Sequence, residues 1–420
     1  MMILGLIGIL LGIVALNWLS FKGWSMCYIA IGAAVLVAVF NLMNPQAAYV
    51  EVFMSGAAVT IARFLLRLFA RRGMQGTRGC WVVSTVSVVF FTLMMLGGVD
   101  AMAVQIAVLP IIISLLRECN LTRKGIPLLL MAAYSVGAMP YAPHMLNTIP
   151  MSILGTDSGA FAVPGILSGI IGLAVCLVYS ARYFVRMHRK GETFEAMPND
   201  PDFDEETPRP HIILALVPLV LIFILFNFAK FHVSICLLVG AVLAVPLYWP
   251  WLKRAAGETG LKEALKANLN RAVVTSGGIA LSICAVVGFA TVIQKTDAFT
   301  TVVNALVNNS GDSIFMAAFI VVICAGITAN NIAGIQVGLN IMAEKFLSAG
   351  VSAAALHRIA SAAAQTLDSL PISAGVVLAH QISGVKLKDG YAPVAVVSIL
   401  IPFLRTLILC LFYVANPGWA

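Results

Sequence analysis

Asp100-Ala101-Met102-Ala103-Val104-Gln105-Ile106 can be laid on Asn331-Ile332-Ala333-Gly334-Ile335-Gln336-Val337, with polar residues matching at both ends of the segment. Further along each half comes a helix-start signal, Asn120-Leu121-Thr122 in one and Gly350-Val351-Ser352 in the other. Thr and Ser are good N-caps, because their hydroxyls accept from the unpaired N–H groups of a first turn. A polar break follows: Asn147-Thr148-Ile149-Pro150 in the first half, Asp368-Ser369-Leu370-Pro371 in the second. Three features in one order, at similar spacing, point to an internal repeat.

The solvent for this repeat is lipid. The chain has 420 residues, of which 60% are hydrophobic and only 10% charged, whereas about a quarter of a soluble protein's residues are charged. Apolar runs near the length of a membrane span recur at residues 3–19, 24–43, 160–179, 212–228, 233–247 and 273–293. The first of these lacks a basic flank and a small-residue cleavage site, so it reads as a span rather than a signal peptide. The net charge of +8 sits at the ends of apolar runs and follows the positive-inside pattern, which removes nucleic acid as a partner. The eight cysteines are scattered through apolar stretches without a Cys-x-x-Cys pair. They read as buried small hydrophobes, and no metal-ligand spacing or cofactor motif is present.

Residues 188–210 form the one stretch that reads as a soluble linker. Seven of the chain's eighteen carboxylates lie there, with Pro198, Pro201, Pro208 and Pro210, and such a segment cannot pack a core. It divides a first membrane repeat (1–187) from a second (211–420). The basic clusters Lys22, Arg67/Arg71/Arg72/Arg78, Arg117/Arg123/Lys124, Arg182/Arg186/Arg189/Lys190, Lys253/Arg254 and Lys386/Lys388 would all be cytoplasmic. Both termini then fall outside after about ten crossings. The segment 79–117 starts and ends inside. It is either two full spans or, as favoured here, a re-entrant hairpin tipped by Leu96-Gly97-Gly98-Val99-Asp100, since irregular backbone at membrane depth must line protein or a water-filled cavity. Segment 312–346 starts and ends outside and mirrors it.

The expected fold is therefore an all-α polytopic membrane protein of two inverted repeats with re-entrant hairpins and discontinuous helices. That is a recurring plan of secondary transporters. Helix N-termini exposed at such breaks favour anions, so a small anionic cargo is expected.

Several stretches resemble a known family. Gly97-Gly98-Val99, Leu109-Pro110, Leu116-Arg117-Glu118, Ile126-Pro127 and Asn147-Thr148-Ile149-Pro150 in the first half are similar to the gluconate:proton symporter (GntP) family of the ion-transporter superfamily. So are Leu356-His357-Arg358-Ile359-Ala360-Ser361, Leu367-Asp368-Ser369-Leu370-Pro371 and Ile401-Pro402 in the second half. The resemblance implies an inner-membrane homodimer with elevator-like motion that carries sugar acids, shorter hydroxy acids or a D-amino acid by proton symport. The chain departs from the family at Ile372-Ser373, at Pro140-Tyr141-Ala142-Pro143-His144 and at Thr328-Ala329-Asn330-Asn331-Ile332-Ala333-Gly334, all at the expected binding cavity.

The candidate substrate-binding residues are Asn147 and Thr148 in the first break, Asn330 and Asn331 at the second hairpin tip, and Asp368, Ser369 and Ser373 in the second break. Their amides, hydroxyls and carboxylate can hydrogen-bond a carboxylate or hydroxyl, and can equally cap the broken helix ends. Gln336 extends the tip set, and its amide oxygen, like those of the asparagines, also suits sodium. Asp100, Asp368 and His144 are the coupling candidates. Intramembrane carboxylates mark ion pathways by default, and a histidine titrates near physiological pH. His380 is a weaker candidate of the same kind. His357 and Arg358 are expected near the outer surface, and Arg405 within the last span, where it could offset a carboxylate substrate or, as favoured, be ion-paired or snorkelling. No nucleophile–base pair is recognisable, so the reading is a carrier and not an enzyme: a proton-coupled permease for a small organic anion, with sodium coupling as the alternative.

Overall fold

The computed structural model describes residues 76–97, 101–197, 211–229, 231, 233–256, 301, 305–308, 311 and 313–419. Asp100, the tip glycine Gly98, the early spans, the run at 273–293 and most of the 188–210 linker lie outside them. Every regular element among the described residues is helical. In the first half these are α1 (Gly76–Leu96), α2 (Ala101–Glu118), α3 (Ile126–Leu130), a 3-10 turn (Tyr134–Ala138), α4 (Met145–Leu154) and α5 (Ala162–Arg189). Then come α6 (Ile212–Asn227), α7 (Val233–Ala256), α8 (Ile314–Thr328), α9 (Asn331–Ser348) and α10 (Ala353–Ala363). A 3-10 turn (Leu367–Ser369), α11 (Ala374–Ser383), α12 (Leu387–Ala395), a π turn (Val396–Leu400) and α13 (Ile401–Ala415) complete the chain.

Among the described residues, three stretches are long and apolar enough to cross a bilayer: α1, α5 and the continuous Leu387–Ala415. At 28 residues, α5 is about 42 Å long, more than a hydrocarbon core needs. Its last turn carries Arg186, His188 and Arg189, where cations complement the helix dipole. The helix α8 has 15 residues, about 22 Å, and falls short of a full crossing. It turns straight into α9 through Ala329 at φ +48° and Asn330. The two helices touch so closely that a Cβ on Gly334 would run into the backbone of Ala325. The two helices thus form a tight helical hairpin.

The breaks are cut by proline. Met139 and Ala142 precede Pro140 and Pro143, and a residue before proline is driven away from helical backbone. Met139 is extended, as is His144, the N-cap of α4. Asn147-Thr148-Ile149-Pro150, expected to be the first break, is instead helical and lies just inside α4; the break itself is residues 139–144. Pro150 survives in the helix because its missing N–H orphans only the Leu146 carbonyl, and the Ser361 hydroxyl donates to that carbonyl at 2.6 Å. The second break falls where expected: Leu367–Ser369 is a 3-10 turn, Leu370 is extended, and the chain bends by 52° between α10 and α11.

The two halves exchange elements. In the second half, α4 of the first half packs on α9 and α10; in the first half, α11 of the second packs on α2 and α3. The two apolar cores are mixed accordingly: Leu146 and Phe161 belong with α8–α10, and Val376, Ala379 and Ile401 belong with α1–α3. The expected helix-start signals are used in both halves, with Thr122 capping the 3-10 turn before α3 and Ser352 capping α10.

Three of the basic clusters meet at one end among the described residues. Arg123 Nε donates to the Ser383 carbonyl at 2.9 Å, and Lys124 pairs with Glu192 at 2.9 Å. Arg117 lies over the Phe194 ring, and α12, which opens on Lys386, packs on the Arg123–Gly125 turn. The linker's first residues are docked here rather than loose. Thr122 donates to Glu192 at 2.9 Å, Phe194 N–H to Asn120 at 3.1 Å, and Met197 sits against Gly384.

Candidate functional site

The second break, the second hairpin tip and the first-half 3-10 turn meet at one phenol. Tyr134 of the turn donates its hydroxyl to Asp368 Oδ2 and accepts from Asn331 Nδ2 at 2.5 Å. Asn331 is the first residue of α9 and Asp368 lies in the broken segment after α10. The other Asp368 oxygen accepts from Ser369 Oγ at 3.1 Å, and Tyr391 of α12 holds the Ser369 carbonyl at 3.2 Å. Gln365 donates to the Tyr134 carbonyl at 2.9 Å while its own Oε1 is buried without a partner. Asp368 is buried and Asn331 half-buried. Asn330 caps α9 by accepting from Ala333 N–H at 2.9 Å, and Ser373 caps α11 by accepting from Val376 N–H at 3.5 Å. Two helix N-termini therefore flank the Asp368 segment.

Of the candidates read from sequence, Asn331, Asp368 and Ser369 are joined in this network, with Asn330 and Ser373 at its helix starts. Gln336 is exposed, whereas Gln105, its partner in the repeat, is buried with Oε1 unsatisfied beside Met131 and Gly375. Tyr134 was not among the candidates. Its signal was a lone phenol in an otherwise small and apolar run, Ala132-Ala133-Tyr134-Ser135-Val136-Gly137.

Asn147, Thr148 and His144 belong to a second network that begins at the other end of the same turn. Asn147 is buried and its amide is taken up by protein: Nδ2 donates to the carbonyls of Met139 at 2.9 Å and Ala142 at 2.8 Å, and Oδ1 accepts from Arg358 Nη1 at 2.5 Å. Thr148 is half-buried in the first turn of α4, and His144 caps that helix by accepting from Leu146 N–H at 3.2 Å. His380 bonds the Val376 carbonyl through Nδ1 at 2.9 Å.

Arg358, expected near the surface, is fully buried. It donates to the carbonyls of Ala160 at 3.1 Å, Ala138 at 3.0 Å and Ser158 at 3.0 Å. Its neighbour His357 bonds Thr156 at 2.7 Å. Arg405 is also buried rather than snorkelling or ion-paired. It reaches the Ser135 carbonyl, the Ala138 carbonyl at 2.9 Å and Ser168 Oγ at 3.4 Å. A position counted from the nearest helix start gives no burial for a residue whose helix is enclosed by the other half, and that is why both readings fail.

An apolar groove of about 700 Å³ runs beside the break, lined by Phe315, Phe319, Thr366, Leu400, Phe403 and Thr406 among others. It carries almost no polar surface and is not where the polar groups converge.

A family model described as DcuC, C4-dicarboxylate anaerobic carrier, matches residues 240–416. An uncharacterized transporter of Bacillus subtilis (strain 168), YxjC, is 22% identical over 396 residues, covering 83% of this chain and 80% of that protein. Both are similar to this chain across membrane-embedded helices, and both support transport. The family match overturns the gluconate permease resemblance, because it is to a dicarboxylate carrier family. The motifs behind that resemblance have local structural roles here. Pro371 follows a break, Ser361 covers a carbonyl freed by proline, and Arg358 ties a turn. The departures at Ile372-Ser373 and Pro140–His144 were the informative residues.

Proposed function

We propose that this protein is a secondary carrier for a small dicarboxylate, moved across the membrane with a coupling proton, and that the Tyr134–Asp368–Asn331 network is the centre of its site. The observation that carries the reading is the meeting of three elements from both halves at one buried carboxylate between two helix N-termini. A carboxylate at membrane depth is costly unless it serves an ion path. Helix starts supply N–H groups and positive dipole ends to an anion. Reciprocal packing of α4 and α11 supports the inverted-repeat reading, and alternating access then moves the broken helices against α5 and the Leu387–Ala415 span. Asp368 carries the proton. Asn330, Asn331, Ser369 and Ser373 offer hydrogen bonds to the cargo, with Thr148 on the first-half side.

Sodium coupling is the second reading. It is favoured by the buried, unpartnered oxygens of Gln105 and Gln365, since amide oxygens are suitable ligands for a hard cation.

Uptake of labelled succinate into proteoliposomes tests both. A pH gradient should drive accumulation without sodium, and Asp368→Asn should abolish the response to the gradient. Accumulation that follows sodium and ignores pH would replace the first reading with the second. Absence of any dicarboxylate uptake, alongside uptake of a monocarboxylate, would sink the substrate class.

A further inference from the structure

Two guanidiniums with no acid bonded to them lie buried side by side. Arg358 Nη1 and Arg405 Nη2 both donate to the Ala138 carbonyl, at 3.0 and 2.9 Å, so the two cationic heads come within about 6 Å of each other, where like charges repel strongly at low dielectric. Both side chains are fully buried. Their acceptors are all neutral: the carbonyls of Ala160, Ala138, Ser158 and Ser135, the Asn147 amide oxygen and the Ser168 hydroxyl. The Lys124–Glu192 ion pair lies far along the chain from either arginine. The acid whose charge reaches Arg358, Asp157, is exposed and spends Oδ1 on the Gly159 N–H.

A guanidinium has five N–H donors. Arg358 places four of them on protein acceptors and Arg405 three, so three are left over. Two buried positive charges, set close together and balanced only by dipoles, are costly unless an anion joins them. Apolar side chains would fill the same space at less cost. The stems lie over the small-residue face of α5, Arg358 against Gly165 and Arg405 against Gly172. Their partner turn leads into the extended break at 139–144, which is held by single hydrogen bonds rather than a helical ladder. Because both side chains are fully buried, access of an anion to the pair requires that segment to shift.

We infer that Arg358 and Arg405, converging on the Ala138 carbonyl, form an anion site that recognises the two negative charges of a dicarboxylate and sets selectivity against singly charged acids. This rests on the carrier reading above and adds to it the groups that supply the counter-charge. Planar guanidinium forks suit carboxylates geometrically.

The test measures binding to the purified full-length protein by calorimetry, with succinate and with succinamate, which has the same size and one charge fewer. The wild type should prefer succinate by at least about tenfold, and Arg405→Gln should remove most of that preference by weakening succinate alone. Arg405→Lys, which keeps the charge without the fork, should fall between. A merely structural brace would weaken both ligands together and leave their ratio unchanged, and that result overturns the inference. Equal affinity for the two ligands in the wild type overturns it without any variant, should Arg405→Gln not fold. A wild type that transports a monocarboxylate and neither binds nor carries succinate refutes the dicarboxylate reading itself.

Discussion

Replacing Tyr134 by Phe removes one oxygen and leaves the ring in place. That oxygen donates to Asp368 and accepts from Asn331 at 2.5 Å. A hydrogen bond to a charged group is worth about 1.5–3 kcal/mol, and the half-buried Asn331 amide loses an acceptor worth about 1 kcal/mol. Tyr134→Phe should therefore destabilise the protein by about 2–4 kcal/mol, measured by denaturant unfolding in detergent micelles. A double-mutant cycle isolates the Asp368 part. In an Asp368→Asn background the phenol meets a neutral acceptor of the same shape. Its removal should then cost about 1–2 kcal/mol, leaving a coupling of about 1 kcal/mol or more. A loss below about 0.5 kcal/mol for the single variant would refute the three-element bridge. Additivity within about 0.5 kcal/mol would refute an ionised carboxylate as the phenol's acceptor.

Ser361→Ala should cost about 1–3 kcal/mol, because the Leu146 carbonyl freed by Pro150 loses its donor; in a Pro150→Ala background, where residue 150 regains its N–H, the same change should cost clearly less, and equal costs in both backgrounds would refute that account. Gly334→Ala should lower the unfolding midpoint well below Gly338→Ala, since a Cβ at 334 meets the Ala325 backbone whereas one at 338 first meets the Val321 Cγ2 at 3.0 Å; the reverse order would mean the α8–α9 hairpin is looser than drawn. The Lys124 ammonium bonded to Glu192 holds that carboxyl below its ordinary range, and the same bond raises Lys124. Its contribution is therefore present above the unfolded carboxylate range and lost as pH falls through the lowered Glu192 value, and it is lost again as pH rises through the raised Lys124 value. The pair is partly exposed and worth under about 1 kcal/mol, so protease cleavage near residues 192–197 should quicken modestly at low pH and at high salt, and Glu192→Gln should abolish the low-pH part.

The caps Thr122 and Ser352 and the second break were legible because they follow from local rules that act within a few residues. The proline pair at 140/143 and the glycine at 334 act just as locally, but the break was read at 147–150 and the close approach at Gly334 showed only in the structure. The site was legible only in part. Asp368, Ser369 and Asn331 announced themselves as polar residues in apolar runs. Tyr134 did not, because a phenol in such a run is equally suited to a bilayer interface, and nothing local says that residues 331 and 368 will arrive at its hydroxyl. Asn147 looked like a break residue because it precedes Pro150. Its helix persists because Ser361, from the other half, satisfies the freed carbonyl.

By itself the sequence determined that this chain lives in lipid and where caps and prolines can start and interrupt its helices. Composition, proline chemistry and charge act locally and need no partner. Which polar groups face each other was decided only by the tertiary structure, through the exchange of α4 and α11 between halves. That exchange encloses Arg358 and Arg405 side by side and brings Asp368 to Tyr134. Burial and pairing are properties of what surrounds a residue, and at Ala138 two distant parts of the chain, at Arg358 and Arg405, meet on one carbonyl.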